Sequence, residues 1–139
     1  MPITYHLKPD ARLVILAHIG LVPDDEFLSF YKSLYEDSRL DKSFDILIDL
    51  RRTESSARSP SAIQESVDLM RRQFVNTSAR PKVAVIAPGD VSFGLARMCE
   101  VFSDAAPWEF EVFRSTDAAL IWLDAAENLM DELNRFEKE

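Results

Sequence analysis

Apolar positions along this 139-residue chain fall into two alternating rhythms. Ile3–Leu7 alternates weakly and Leu13–Ile19 more strongly, and the short Pro9-Asp10-Ala11-Arg12 link between them predicts a hairpin. Phe44–Leu50 and Val83–Ala87 are nearly continuous apolar runs, and Val83–Ala87 suits a strand covered on both faces or on one face plus the sheet edge. Trp108–Arg114 alternates again, with Phe110 and Val112 on one face and Glu109, Glu111 and Phe113 on the other. Between these runs the spacing changes to that of helices. Phe27, Phe30, Tyr31 and Leu34 form one apolar face, opened by Pro23-Asp24-Asp25-Glu26, whose acids suit a helix start. Ile63, Val67, Met70 and Phe74 form a second, with Ser59 as cap and Pro60 at the first position. Val91, Leu95, Met98 and Phe102 form a third, with Asp90 expected as its cap. Ser115-Thr116-Asp117 starts a fourth. Its stripe of Ala119, Leu120 and Leu123 is expected to continue through Trp122, Ala126, Leu129, Leu133 and Phe136 for several further turns.

Strands alternating with helices in the order β-β-α-β-α-β-α-β-α predict an α/β fold on a largely parallel sheet. The hairpin makes one edge antiparallel, so the expectation is a five-stranded mixed sheet with about four helices. Right-handed crossovers place successive helices on one side unless the strand order reverses. Residues 1–139 read as one domain, with 124–139 an acidic helical extension. Arg51–Arg58 reads as a polar loop.

Charge narrows the function. The net charge is −8 and the pI about 4.8. That balance argues against non-specific nucleic-acid or anionic-membrane binding. Half of the excess lies in 124–139, with six acids against two bases. The one cysteine, Cys99, leaves no intramolecular disulfide and reads as a small buried hydrophobe. No apolar run suits a membrane span, the start lacks a signal-peptide pattern, and the cytoplasm is the expected compartment.

Candidate chemistry gathers at the carboxyl ends of the parallel strands, where open α/β sheets bind ligands. Arg51, Arg52, Asp90, Ser92, Arg97, Arg114 and Ser115 are the candidates there for a small anion, beside the helix starts at Ser59, Asp90 and Ser115. Pairing with Glu54, Asp90 and Asp117 is the competing role for these arginines. Gly89 and Gly94 have the spacing of a phosphate loop, but Leu95 and Ala96 stand where a lysine and a hydroxyl are needed. Gly94 reads instead as a site of close helix–sheet packing. His6 and His18 lie on neighbouring strands of the hairpin, which could bring them near each other, yet two histidines without a placed third ligand make a poor metal site. No catalytic constellation, cofactor motif or metal-ligand spacing stands out.

Several stretches together resemble the SpoIIAA-like family, bacterial proteins with the fold of STAS domains that are also compared with the CRAL-TRIO lipid-carrier fold. They are Ile48-Asp49-Leu50-Arg51, Val85-Ile86-Ala87-Pro88 followed by Asp90, Phe93-Gly94-Leu95-Ala96-Arg97-Met98, and Val112-Phe113-Arg114 followed by Ala118–Leu123. They span roughly Leu13 to Leu123. The resemblance implies a fold more than an activity. In anti-anti-sigma factors of the STAS class a serine before a helix is phosphorylated in an Asp-Ser-Ser-Gly-like turn. Here Glu54-Ser55-Ser56-Ala57 occupies a similar place without the glycine, so Ser55, Ser56 and Ser59 are the phosphorylation candidates.

The expectation is therefore a non-enzymatic STAS-like module that binds a regulatory protein partner or a small ligand. The alternative is a carrier holding a lipid or other apolar molecule between helices and sheet. The long C-terminal helix is a candidate surface for a homodimer.

Overall fold

A computed structural model describes residues 3–54, 58–125, 129, 131 and 135. The strands are β1 (Ile3–Lys8), β2 (Leu13–Leu21), β3 (Asp45–Glu54), β4 (Lys82–Ile86) and β5 (Glu109–Phe113). The helices are α1 (Asp24–Leu34), α2 (Pro60–Gln73), α3 (Asp90–Phe102) and α4 (Thr116–Trp122). The five strands lie in sequence order, antiparallel between β1 and β2 and parallel thereafter. This is the mixed α/β sheet expected from the pattern.

The order never reverses, so right-handed crossovers bring α1, α2 and α3 to the same face. Val14, Leu16, Ile46 and Val83 point to that face and pack with residues of those helices. The alternate positions Leu13, Ile15, Leu47, Ala84 and Ile86 point the other way, onto Ala119 and Leu120 of α4 and onto Leu123 and Leu129. The period-two alternation of each strand thus separates two cores. β4 is buried on both faces, from Val83 to Ile86.

Two caps follow the sequence. Ser59 Oγ accepts from the Ala62 amide and Ser115 Oγ from the Ala118 amide, each at 3.2 Å. Asp90 does not cap α3. Gly89 holds the cap position without a side chain to offer, and Asp90 is already helical. The inner face of α3 is centred one position on from the expected apolar stripe, of which Phe102 still packs on the core. Val91 is 63% exposed, while Ser92, Ala96 and Ser103 are buried. The last helix stops at Trp122, because Asp124 adopts a left-handed φ of 55° that a helix cannot continue through. Helical backbone returns at Leu129, Asp131 and Arg135. Ala126, Leu133 and Phe136 of the helix expected as a dimer surface lie outside the described residues.

Arg51–Glu54 belong to β3 rather than to the expected loop, because β2 extends to Leu21 and supplies a partner. The extension includes a bulge. Ala17 pairs with Asp49 and Ile19 with Arg52, so Leu50 and Arg51 share the place opposite His18. A bulge leaves an amide without a ladder partner. Asp49 takes it: its Oδ1 accepts from the Arg51 backbone N–H at 3.0 Å. The same carboxylate receives Arg51 Nε and Nη2 at 2.9 Å each, a two-pronged pair with both side chains largely buried.

Gly94 is not a close-packing site. A Cβ built there meets nothing within 4 Å, and the residue is exposed. Gly94→Ala is therefore expected to raise stability by about 0.5–1 kcal/mol. A urea titration that finds it neutral or destabilising would contradict this reading. Asp49→Ala removes the two-pronged acceptor of the Arg51 guanidinium and the acceptor of the bulge amide. It should cost about 2–3 kcal/mol in the same measurement, and a loss within 1 kcal/mol would refute the role given to the pair.

Candidate functional site

Between the sheet and its three-helix face lies a cavity of about 120 Å³. Its floor is Ile46, Ile48, Val83, Val85 and Phe110 of the sheet. Its walls are Leu34 of α1, Ile63, Val67 and Met70 of α2, and Leu95 of α3. The β3 bulge shapes one end, since the extra residue shifts side-chain parity. Ile46 and Ile48 line the cavity before the bulge, Leu50 within it, and Thr53 after it.

The space exists because α3 presents small side chains. Ser92, Ala96, Cys99 and Ser103 recur at i, i+4, i+7 and i+11, and all four line the cavity. Their larger neighbours Val91 and Val101 are exposed. A row of leucines on this stripe would close the volume. Ser103 Oγ donates to the Cys99 carbonyl at 2.8 Å, so this hydroxyl is satisfied within its own helix. Burial pushes the Cys99 thiol up to about 12, which keeps it protonated at neutral pH.

One end carries polar groups held in fixed pairs. His18 is 4% exposed, and its Nε2 lies 3.0 Å from the Tyr31 hydroxyl. Loss of water, with a smaller repulsion from Arg58, lowers the His18 pKa to about 3, so the ring is neutral at ordinary pH. Arg58 lies 3.7 Å over the Phe27 ring and gives Nη1 to Asp24 at 2.9 Å. Asp24 also accepts from Ser59 Oγ at 2.7 Å. Burial opposes the Asp24 charge, but the hydrogen bonds from Ser59 and Arg58 outweigh it and hold the carboxyl below its usual range. Burial also raises the Tyr31 and Tyr35 phenols, both of which line the cavity.

At another part of the lining is Trp108, just before β5 and 6% exposed. Phe74 packs against its ring at 5.9 Å. Arg71 lies 6.0 Å over the ring and donates Nη2 to the Phe102 and Asp104 carbonyls, tying α2 to the end of α3. Among the described residues, the one buried side-chain polar atom without a hydrogen-bond partner is Trp108 Nε1.

Of the anion candidates named from the sequence, Ser92 alone lines this cavity. Arg114 meets Asp90 at 2.7 Å, donates to the Pro88 carbonyl at 3.2 Å and lies 4.2 Å over the Phe93 ring. Arg51 is held by Asp49 and Arg52 sits in the β2–β3 ladder. Arg97 pairs with Glu100 one turn on, at 2.6 Å. Ser115 caps α4. Ser59 is bound to Asp24 and to the Ala62 amide, while Ser55 and Ser56 lie outside the described residues. His6 and His18 are not brought together. His18 pairs with Ile3 and His6 with Ile15, which sends the two rings to opposite faces. Sequence reasoning passed over His18 as a site residue, along with Tyr31, Arg58 and Trp108. The signal it could have used is the small-residue stripe from Ser92 to Ser103.

The neutral buried His18 has a consequence for acid stability. The unfolded chain binds a proton near pH 6.5 that the folded chain refuses until about pH 3. Its contribution is thus intact above pH 6.5 and lost as pH falls below it. Carboxylates such as Asp24, whose folded pKa is lowered, begin to add their own loss below about pH 5. Between pH 6.5 and about 4.5 the unfolding free energy should fall by about 2–3 kcal/mol. His18→Gln should flatten that interval. An equal slope in both proteins, by urea titration at each pH, would rule the assignment out.

No family model matches the chain, and no curated protein matches it. Among solved structures, an uncharacterized protein of the DUF3478 family from Shewanella loihica PV-4 is similar. It has 21% sequence identity and a TM-score of 0.55, covering 87% of this chain and 91% of that one. That protein has a SpoIIAA-like fold. With the sequential mixed sheet and its three-helix face, this chain has the SpoIIAA-like fold as well.

Proposed function

We propose that this chain is a non-catalytic, STAS-like binding module whose cavity takes a small, largely apolar ligand. The observation that carries the reading is the cavity beneath α1–α3, walled by aliphatic and aromatic side chains and kept open by the small stripe of α3. Ligand sites of this kind are concave and mostly apolar, with a few placed polar groups. The size supports a narrower version of the carrier idea. A dry cavity of about 150 Å³ accepts benzene, and this one is about 120 Å³. It suits a ring or a short chain better than a two-chain lipid. The polar groups at the cavity are arranged for recognition rather than for bond-breaking. His18 is neutral and hydrogen-bonded to Tyr31, and burial keeps the Cys99 thiol protonated. Among the described residues, no helix is long and apolar enough to cross a membrane.

Titration with toluene, followed by methyl and amide NMR shifts, tests the reading. The expected shifts cluster at Ile63, Val85, Ala96 and Cys99. Ala96→Leu fills the volume and should abolish them while leaving the rest of the spectrum in place. Toluene that perturbs none of these residues would overturn the proposal. Native mass spectrometry of protein purified gently from its own host should show added mass of one small molecule. A phosphoryl group mapped to Ser55, Ser56 or Ser59 would instead favour a regulatory switch.

A further inference from the structure

We propose that the ligand is an uncharged molecule of about ring size bearing one hydrogen-bond acceptor, and that the Trp108 indole N–H binds that acceptor. This rests on the cavity reading above and deepens it. An indole N–H is a donor only. Buried donors in folded proteins almost always have an acceptor, yet Trp108 Nε1 is buried without one. Trp108 is itself part of the cavity lining. A ligand with a carbonyl or ether oxygen would supply the missing acceptor, and a purely apolar one would leave it missing.

Charge matching limits the ligand further. Among the described residues of the lining, Arg58 is the cation, and Asp24 already neutralises it at 2.9 Å. Arg71 lies above the Trp108 ring, but its Nη2 is engaged by the Phe102 and Asp104 carbonyls. The remaining polar side chains of the lining are neutral hydroxyls, the protonated Cys99 thiol and the His18 ring. A carboxylate or ammonium entering here would lose its water without gaining a counter-charge. A ketone, ester or ether of similar size loses far less, and the indole N–H offsets part of that.

Acetophenone and α-methylstyrene test this directly, because they differ in shape by little more than an oxygen in place of a methylene. Both should shift the cavity methyl signals of the full chain. Acetophenone alone should move the Trp108 Nε1–H resonance downfield, with the Trp122 indole as internal control. Trp108→Phe assigns the signal by removing it. That variant should also lower the affinity for acetophenone relative to α-methylstyrene by roughly fivefold or more. Benzoate should bind at least about tenfold more weakly than acetophenone.

If both aromatics bind and neither moves the indole proton, the acceptor inference falls while the cavity reading stands. An indole proton that stays bonded to a buried water with every ligand overturns the acceptor inference in the same way. Benzoate binding as tightly as acetophenone overturns the uncharged class. Failure of both aromatics to bind removes the cavity reading itself. Should Trp108→Phe not fold, the indole shift in the unaltered chain still decides.

Discussion

The constraint on which the rest of the structure depends is the handedness of the crossover in a sheet whose strands never change order. Each β-α-β passage must turn the same way, so α1, α2 and α3 are all delivered to one face. The other face is left to α4 and to Leu123 and Leu129. The two faces then solve different packing problems. The α4 face is closed by aliphatic residues such as Leu13, Ile15, Leu47 and Ile86, each nearly inaccessible to solvent. The opposite face must seat three helices on a twisted surface. Where α3 carries Ser92, Ala96, Cys99 and Ser103, its side chains are too short to reach the others, and a cavity remains. Cavities are costly in interiors packed at crystal-like density. One that a stripe of small residues maintains along a helix points to a use.

The same face shows how charge is kept out of the apolar volume. Arg58 brings a cation to the lining only with Asp24 in contact and Phe27 beneath it. His18 is admitted in its neutral form, with Tyr31 as partner. The β3 bulge places Asp49 and Arg51 together, each satisfying the other, and lets Thr53 face the cavity beyond them. Buried ions arranged in this way add specificity more readily than stability. At the polar end Arg58 is matched by Asp24, and among the described residues of the lining no other cation stands beside the neutral His18 ring.

Much of the architecture was legible in the sequence because it rests on local patterns. Alternation in the strands, the 3.6-residue spacing of the helices and the caps at Ser59 and Ser115 are short-range signals, and the expected order of elements is the observed one. The Asp90 cap and the continuation of the last helix past Trp122 failed locally, at Gly89 and at the left-handed Asp124, whereas other misreadings depend on surroundings distant in the chain. Arg51–Glu54 looks like a loop until β2 extends alongside it. Val91, Leu95, Met98 and Phe102 look like the inner face of α3 because large apolar residues normally face inward. The rule holds for Leu95, which walls the cavity, and for Phe102, which packs on the core, but fails at Val91, because small residues occupy the middle of the inner face where it borders a cavity. Trp108 gave no sign of its unpartnered N–H, because hydrogen-bond satisfaction is a property of the surroundings and not of the residue.

The topology also bears on where a ligand belongs. In open α/β sheets the usual crevice forms where the strand order reverses, since helices leaving in opposite directions part there. A sheet ordered β1 to β5 has no such reversal. At its carboxyl edge Arg114 is drawn to Asp90 and the Pro88 carbonyl, and Arg51 to Asp49. These contacts tie the strand ends to the helix starts and bolt one edge of the scaffold. The volume that the fold does leave lies beneath the helices, between the polar cluster of His18, Tyr31 and Arg58 and the remainder of an apolar lining that includes Trp108. The shape of that volume depends on how α1, α2 and α3 sit on the sheet. The Arg58–Asp24 pair, which joins α1 to the start of α2, and the contacts of Arg71 with the end of α3 hold those helices to one another and so help fix it.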